Sequence, residues 1–224
     1  MTPSSVGIAL IEQLQLSLEH AENYAATDLV RADCNAEAFR ALERWPSWPN
    51  GVLALVGPAG SGKTHMAMAW AERVGAEVPS PRAPLDLLNL AGRPVLLDDA
   101  EHTIGEVTLF HLINMAAQQG GSLLITGRTP PAEWVSTLPD LRSRLRAITT
   151  VEIEAPDDEM MLGVLEKLFR DHHIRPAPDL YTYLLKRMER SIPAAHALVS
   201  RIDKVAGAHH RPVGRLVARQ ILEA

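Results

Sequence analysis

The densest chemistry in the chain lies in Gly57-Pro58-Ala59-Gly60-Ser61-Gly62-Lys63-Thr64, which matches the Walker A pattern at every fixed position. Glycines let a backbone curl until successive amide N–H groups point inward at phosphate oxygens. A helix starting near Lys63 adds the positive end of its dipole. Lys63 is then expected to reach the β- and γ-phosphates of ATP or ADP, and Thr64 to ligate Mg2+. A glycine-rich turn with no ligand is the plain alternative, and a full match between a strand and a helix argues against it. Downstream, Val95-Leu96-Leu97-Asp98-Asp99 reads as an apolar strand ending in two acids, as a Walker B segment does. Asp98 is the candidate for holding Mg2+ through water, and Asp99 for positioning or deprotonating the attacking water. Alone, an acidic turn after a strand is commonplace and solvated; its meaning here comes from the loop. Asp99 stands where many ATPases carry Glu, a shorter reach that would slow hydrolysis.

These residues need a sheet whose strands end together. Gly51-Val52-Leu53-Ala54-Leu55-Val56 is a short apolar run bounded by turn residues, as a buried parallel strand requires. Further apolar runs fall at 94–97, 122–126 and 149–153, separated by helical stretches at 65–74 and 106–118. The alternation implies an α/β fold with a parallel sheet sandwiched by helices. Ahead of it, 24–48 has a helical pattern, with Ala36, Phe39, Leu42 and Trp45 following a candidate N-cap, Asn35, and Pro46 and Pro49 ending it. After Pro156 the character changes to amphipathic helical segments near 157–172, 180–189, 193–205 and 213–222, a small all-helical lid. The expected organisation is a tail over 1–20, a nucleotide-binding α/β domain over 21–155 and the lid over 156–224.

Composition removes several function classes. Hydrophobic residues make up 46% and charged residues 22%, which suits a folded globular chain. No stretch approaches the roughly 20 apolar residues of a membrane span, and the start lacks the features of a secretory signal, so a cytoplasmic location without membrane contact is expected. One cysteine, Cys34, rules out an internal disulfide and any multi-cysteine metal site. The net charge of -5, with no basic run, does not indicate autonomous DNA binding. His172-His173 and His209-His210 point different ways on a helix and have no acidic or Cys ligands at metal spacing. The tryptophans read as structural.

The segment from Gly57 to His65, then Leu97-Asp98-Asp99, then Leu123 to Pro131, then Leu138-Pro139-Asp140-Leu141-Arg142-Ser143-Arg144-Leu145 occur in the order seen in the DnaA family of AAA+ replication initiators. More closely they resemble its Hda group, DnaA-related regulators that inactivate the initiator. The resemblance runs over nearly the whole chain. Three features mark that group: a short clamp-binding motif, the Pro-Pro and Leu-Pro-Asp-Leu elements, and no C-terminal helix-turn-helix domain. The sequence shows all three.

The resemblance implies an AAA+ P-loop nucleoside triphosphatase fold with a helical lid, and ADP or ATP with Mg2+ held by Gly57 to His65. It makes Arg144 an arginine finger acting on a neighbour's ATP, a role that typically supplies ~10³–10⁵ in rate. Without the family, Arg144 reads as a surface arginine beside Arg142 and Arg146. Arg190 aligns best with the lid arginine that touches nucleotide phosphates, although Pro193 departs from the pattern and fits only a helix's first turn. Arg128 follows Gly127 where the family carries an acid, so weak hydrolysis by this chain itself is expected. Gln13, Leu14, Leu16 and Leu18 resemble the peptide that binds the sliding clamp, the β subunit of DNA polymerase III. An amphipathic helix through Ile8, Ile11, Leu14 and Leu18 is the alternative, and Ser17 departs from the motif's usual Pro.

The expected partners are therefore the initiator, the clamp, and DNA indirectly through the clamp, with self-association left open. The expected function is a regulator that stimulates hydrolysis of DnaA-bound ATP and prevents re-initiation. A non-catalytic nucleotide-dependent adaptor and a helicase-loader ATPase are the rivals.

Overall fold

Runs of apolar residues bounded by turns become strands when both faces are covered, the fate here of the runs at 52–56, 94–97 and 122–127, while Thr149–Glu152 is a half-exposed edge strand. The computed structural model describes residues 29–80, 85–118, 120–207 and 214–222. Its strands are β1 (Val52–Val56), β2 (Pro94–Leu97), β3 (Ser122–Gly127) and β4 (Thr149–Glu152). All pair in parallel, in the order β2-β3-β1-β4, and Glu77 adds an isolated parallel bridge to Val95 outside β2. Every carboxyl end therefore opens on one edge. Placing β1 between β3 and β4 creates the switch in strand order at which such sheets bind ligands.

The period of two sorts β1 between two cores. Val52, Ala54 and Val56 face one side with Leu123 and Ile125 of β3. They are covered by Leu109, Leu112 and Ile113 of the helix Glu106–Gln118 and by Leu141 and Leu145 of the helix Pro139–Arg146. Leu53 and Leu55 face the other side with Leu96 and Leu124. They lie under Phe39 and Leu42 of α1 (Ala36–Glu43) and Met66 and Trp70 of α2 (Lys63–Val74). Trp48 and Trp45 stack against Trp70 with centroids 5.2 and 6.4 Å away, and their ring N–H groups donate to Ala41 O and Ser122 Oγ. These rings are core, not a base-stacking surface. The remaining elements of the α/β layer are the short α3 (Ala100–Thr103), α4 (Glu106–Gln118) and α5 (Pro139–Arg146).

The C-terminal helices α6 (Asp158–Asp171), α7 (Pro178–Leu185), α8 (Ile192–Gly207) and α9 (Arg215–Leu222) enclose a third core. Met161, Leu165, Phe169, Leu180, Leu184, Val199 and Ile202 fill it. Ala32 and Cys34 join this core from the chain ahead of α1, so the early segment packs with the helical layer. Burial pushes the Cys34 thiol up from its ordinary value, in keeping with a small packed side chain.

Several boundaries differ from the sequence expectation for local reasons. Of the pattern expected over 24–48, the described residues from 29 on form α1, because a 3-10 turn at Asp33–Asn35 precedes it and a turn through Arg44 closes it. Asn35 holds the N-cap position without capping. Its Oδ1 accepts from Ala32 N at 3.0 Å and its Nδ2 donates to Val30 O at 2.9 Å, which ties down the segment that joins the helical core. Asp157 is a true cap of α6, accepting from Met160 N at 2.7 Å. Pro193 sits in the first turn of α8, the only place it fits, and Ser191 Oγ accepts from Ala194 N there. His172 pairs with Asp203 at 2.8 Å. Among the described residues no group of His, Cys, Asp or Glu is arranged to hold a metal by itself, and no helix is long and apolar enough to cross a membrane.

Candidate phosphate-binding site

The loop from Gly57 to Thr64 leaves the carboxyl end of β1 and enters α2 at Lys63. Its conformation needs glycine at two places for different reasons. Gly57 has φ 148°, and a Cβ there would lie 2.2 Å from the carbonyl oxygen of Ile153. Gly60 has φ 76°, and a Cβ there would lie 2.6 Å from Ser191 Cβ, because Ile192 N donates to Gly60 O at 3.1 Å. The first requirement seats the loop against the end of β4, and the second docks the start of α8 onto its crest. Gly57→Ala should accordingly destabilise the chain by about 2–4 kcal/mol, combining a strained φ with a backbone overlap that cannot rotate away. Denaturant unfolding of the two proteins checks this.

Lys63 is half-buried and its Nζ donates to Gly57 O at 2.8 Å and Pro58 O at 2.7 Å, so its ammonium spans the mouth of the loop. Burial holds its pKa below the ordinary value; the Arg128 charge pushes the same way, and Asp98 and Asp99 oppose both. Ser61 Oγ is buried with no hydrogen-bond partner beside Gly57. The first N–H groups of α2 have no acceptor within their helix. An orphaned hydroxyl, helix-end donors and an ammonium around one curled loop fit a phosphate chain.

At the end of β2 the acids divide their work. Thr64 Oγ1 lies 3.0 and 3.1 Å from the two Asp98 carboxylate oxygens, a hydroxyl and a carboxylate side by side as an oxygen-preferring Mg2+ needs. Asp99 adopts φ 50° and its Oδ1 lies 3.2 Å from His102 Nδ1. Between them sits Thr126, which the sequence reading passed over. Its Oγ1 donates to Asp98 Oδ1 at 2.7 Å and accepts from Asp99 N at 2.8 Å, and it is buried. The available signal was a hydroxyl inside the apolar strand Leu123-Leu124-Ile125-Thr126. Thr126→Val should strand Asp99 N, leave Asp98 with Thr64 alone and lower stability by about 1–3 kcal/mol, with Thr126→Ser recovering most of it, as thermal or denaturant unfolding will show.

The two arginines lie elsewhere. Arg144, on the last turn of α5, precedes β4 and lies at the amino edge of the sheet. With Pro49, Asn50, Phe110 and Ile113 it lines an open cavity of about 380 Å³. A strand the length of β1 separates that edge from the loop, about 15 Å at ~3.3 Å per residue. A guanidinium cannot span that gap through the sheet. The segment feeding α5 is clamped by Glu106, whose carboxylate accepts from Ser136 Oγ, Thr137 N and Thr137 Oγ1, and these bonds hold its pKa down. Arg190 is exposed and paired with Asp158 at 2.8 Å, while its neighbours Ser191, Ile192 and Pro193 are the residues that touch Gly60 and Gly62. Gln13, Leu14, Leu16 and Leu18 lie outside the described residues.

No family model matches the chain. Its fold superposes on domain III of the replication initiation protein DnaA from Thermotoga maritima with TM-score 0.74 and 17% identity, covering 90% of this chain and 96% of that domain. Among curated proteins, DnaA of Caulobacter vibrioides is 24% identical over 221 residues, covering 83% of this chain and 45% of that protein. The chain is similar in sequence to DnaA proteins and has the AAA+ fold of DnaA domain III. The Thermotoga maritima protein RuvB gives TM-score 0.66 at 15% identity, so the DnaA-like architecture extends to other AAA+ proteins. DnaA of Thermomicrobium roseum is 23% identical, with 76% of this chain aligned to 42% of that protein. The chain thus spans less than half the length of these DnaA relatives.

Proposed function

We propose that this chain is an Hda-like regulator. It binds ADP or ATP with Mg2+ at Gly57 to His65, and it promotes hydrolysis of ATP held by a DnaA initiator by presenting Arg144 to that partner's site. The observation that carries the reading is the separation of two functional ends. The phosphate loop occupies the carboxyl edge of the sheet, and Arg144 lines an open cavity at the amino edge, beyond reach of its own loop. An arginine placed so can act only on another molecule. A replication initiator DnaA with TM-score 0.65 to this chain has been solved with AMPPCP and single-stranded DNA, which supports a nucleotide as the ligand of the loop. The Gln13, Leu14, Leu16 and Leu18 tail supplies the tether to the DNA-loaded clamp.

In this mechanism Lys63 and the loop amides hold the phosphates, Thr64 and Asp98 hold the cation, and Thr126 fixes Asp98. Mg2+ bound there would neutralise charge between the phosphates. Ile192 N donates to Gly60 O, so the phosphate loop and the start of α8 are joined by a backbone bond.

A second reading, the non-hydrolytic adaptor, is favoured by Arg128 in place of an acid and by Asp99 facing His102. ATP hydrolysis by DnaA in the presence of this protein and DNA-loaded clamp separates the two. Stimulation by wild type that is lost in both Arg144→Ala and Gln13→Ala/Leu16→Ala supports the regulator. No stimulation by wild type, with nucleotide and DnaA binding intact, overturns it in favour of the adaptor.

A further inference from the structure

We propose that Glu106 is a positioning residue for Arg144, holding α5 at the height from which its guanidinium meets the partner's phosphates; this rests on the reading of Arg144 as the group presented to DnaA. Arg144 has no bond that fixes it directly. It sits on the last turn of α5, lines the amino-edge cavity, and makes no hydrogen bond or ion pair among the described residues. The place of its guanidinium therefore follows the place of α5 as a whole.

α5 is eight residues long and has little of its own to anchor its start. Leu138 in the N-cap position offers no side-chain cap, and Pro139 follows it as the first helical residue. Leu141 and Leu145 bury one face of the helix against the sheet. Apolar burial is non-directional, so it selects the buried face without fixing the height of the helix along its own axis.

Glu106, the first residue of α4, supplies the direction. Its carboxylate accepts from Thr137 Oγ1 at 2.8 Å, from Thr137 N at 3.1 Å and from Ser136 Oγ at 3.1 Å. Ser136 Oγ in turn accepts from Leu138 N at 3.1 Å, which carries the clamp to the residue where α5 begins. Among the described residues, the side-chain hydrogen bonds that join 136–146 to another helix or strand all come from Glu106. Thr137 first, and Ser136 after it, hold the Glu106 carboxyl below its ordinary value, so the clamp stays charged at neutral pH.

The same helix borders the far end of α5, where Phe110 and Ile113 line the cavity with Arg144. The rise from Leu138 to Arg144 is about 9 Å, at ~1.5 Å per residue. Loosening the clamp lets that length swing. A displacement of about 1 Å in a group that meets a transition state can cost ~10²-fold in rate.

ATP hydrolysis by DnaA with DNA-loaded clamp, titrated with variants of the full chain, tests the proposal. Glu106→Ala is expected to lower the maximal rate by about 10-fold or more, with the half-saturating concentration of the chain within about 2-fold of wild type. Glu106→Gln keeps an acceptor oxygen and should recover most of the loss; Thr137→Val, at an exposed position, should give a smaller loss of the same kind. Added to Arg144→Ala, Glu106→Ala should cost less than about 2-fold more, because the residue it positions is gone. Each variant should bind its own nucleotide as wild type does. Equal losses with and without Arg144, a loss confined to half-saturation, a parallel loss of nucleotide affinity, or an unchanged rate where Arg144→Ala abolishes stimulation each overturn the proposal and leave the regulator reading standing. No stimulation by wild type, or stimulation indifferent to Arg144→Ala, overturns both.

Discussion

With Arg144 changed to Ala, hydrolysis of DnaA-bound ATP in the clamp-containing reaction is expected to fall by roughly 10³-fold relative to the stimulated rate, and Arg144→Lys is expected to recover less than about tenfold of it. The physical reason is the nature of the charge being met. As a phosphoryl group transfers, negative charge spreads over its equatorial oxygens, and a planar guanidinium contacts two of them where an ammonium contacts one. The amino-edge position confines the loss to the partner. Arg144 lies across the sheet from Lys63, so affinity of this chain for its own nucleotide should stay within about 2-fold of wild type. Single-turnover hydrolysis by DnaA, paired with nucleotide titration of this chain alone, measures both. A parallel loss of the chain's own binding would show that Arg144 supports the fold instead. The Leu141 and Leu145 contacts that seat α5 do not involve the guanidinium, so that outcome is not expected.

Lys63→Ala gives the second large effect: ADP and ATP should each bind roughly 100-fold or more weakly, since two charge-assisted contacts to phosphate are removed together. The structure adds a reason beyond the motif. The ammonium also bonds the Gly57 and Pro58 carbonyls, so its removal leaves two inward-facing acceptors around an anion site. Those carbonyls repel phosphate once the ammonium no longer masks them. Lys63→Arg should not rescue binding, because the larger planar group cannot sit in the half-buried mouth of the loop. Isothermal titration against both nucleotides is the check. Retained ADP binding in Lys63→Ala would mean that the ligand does not sit on this loop.

Much of this architecture was legible from local pattern. The strands and the helix Glu106–Gln118 fall where apolar runs and helical spacing put them, because burial on both faces of a parallel sheet demands continuous apolar residues that few other structures need. The helical layer was equally readable from its amphipathic spacing, with shifts of a few residues at the ends. The exceptions share one cause. Asn35, α1 and the segment from Val30 to Cys34 follow contacts with Met160 and the α6–α9 core, residues distant in the chain that no window along the sequence contains. Thr126 was missed because a lone hydroxyl in a strand is silent until the sheet sets it between Asp98 and Asp99.

The sequence by itself determined the phosphate loop, the acids that follow the second strand and the parallel α/β layer, since each depends on residue types at fixed short spacings. Only the tertiary structure decided who faces whom: that Arg144 lies at the opposite edge from its own loop, and that Ser191 to Pro193 meet Gly60 and Gly62. Those relations come from strand order and the docking of α8. Both are settled by long-range packing, in which residues brought together from separate elements compete for the same space.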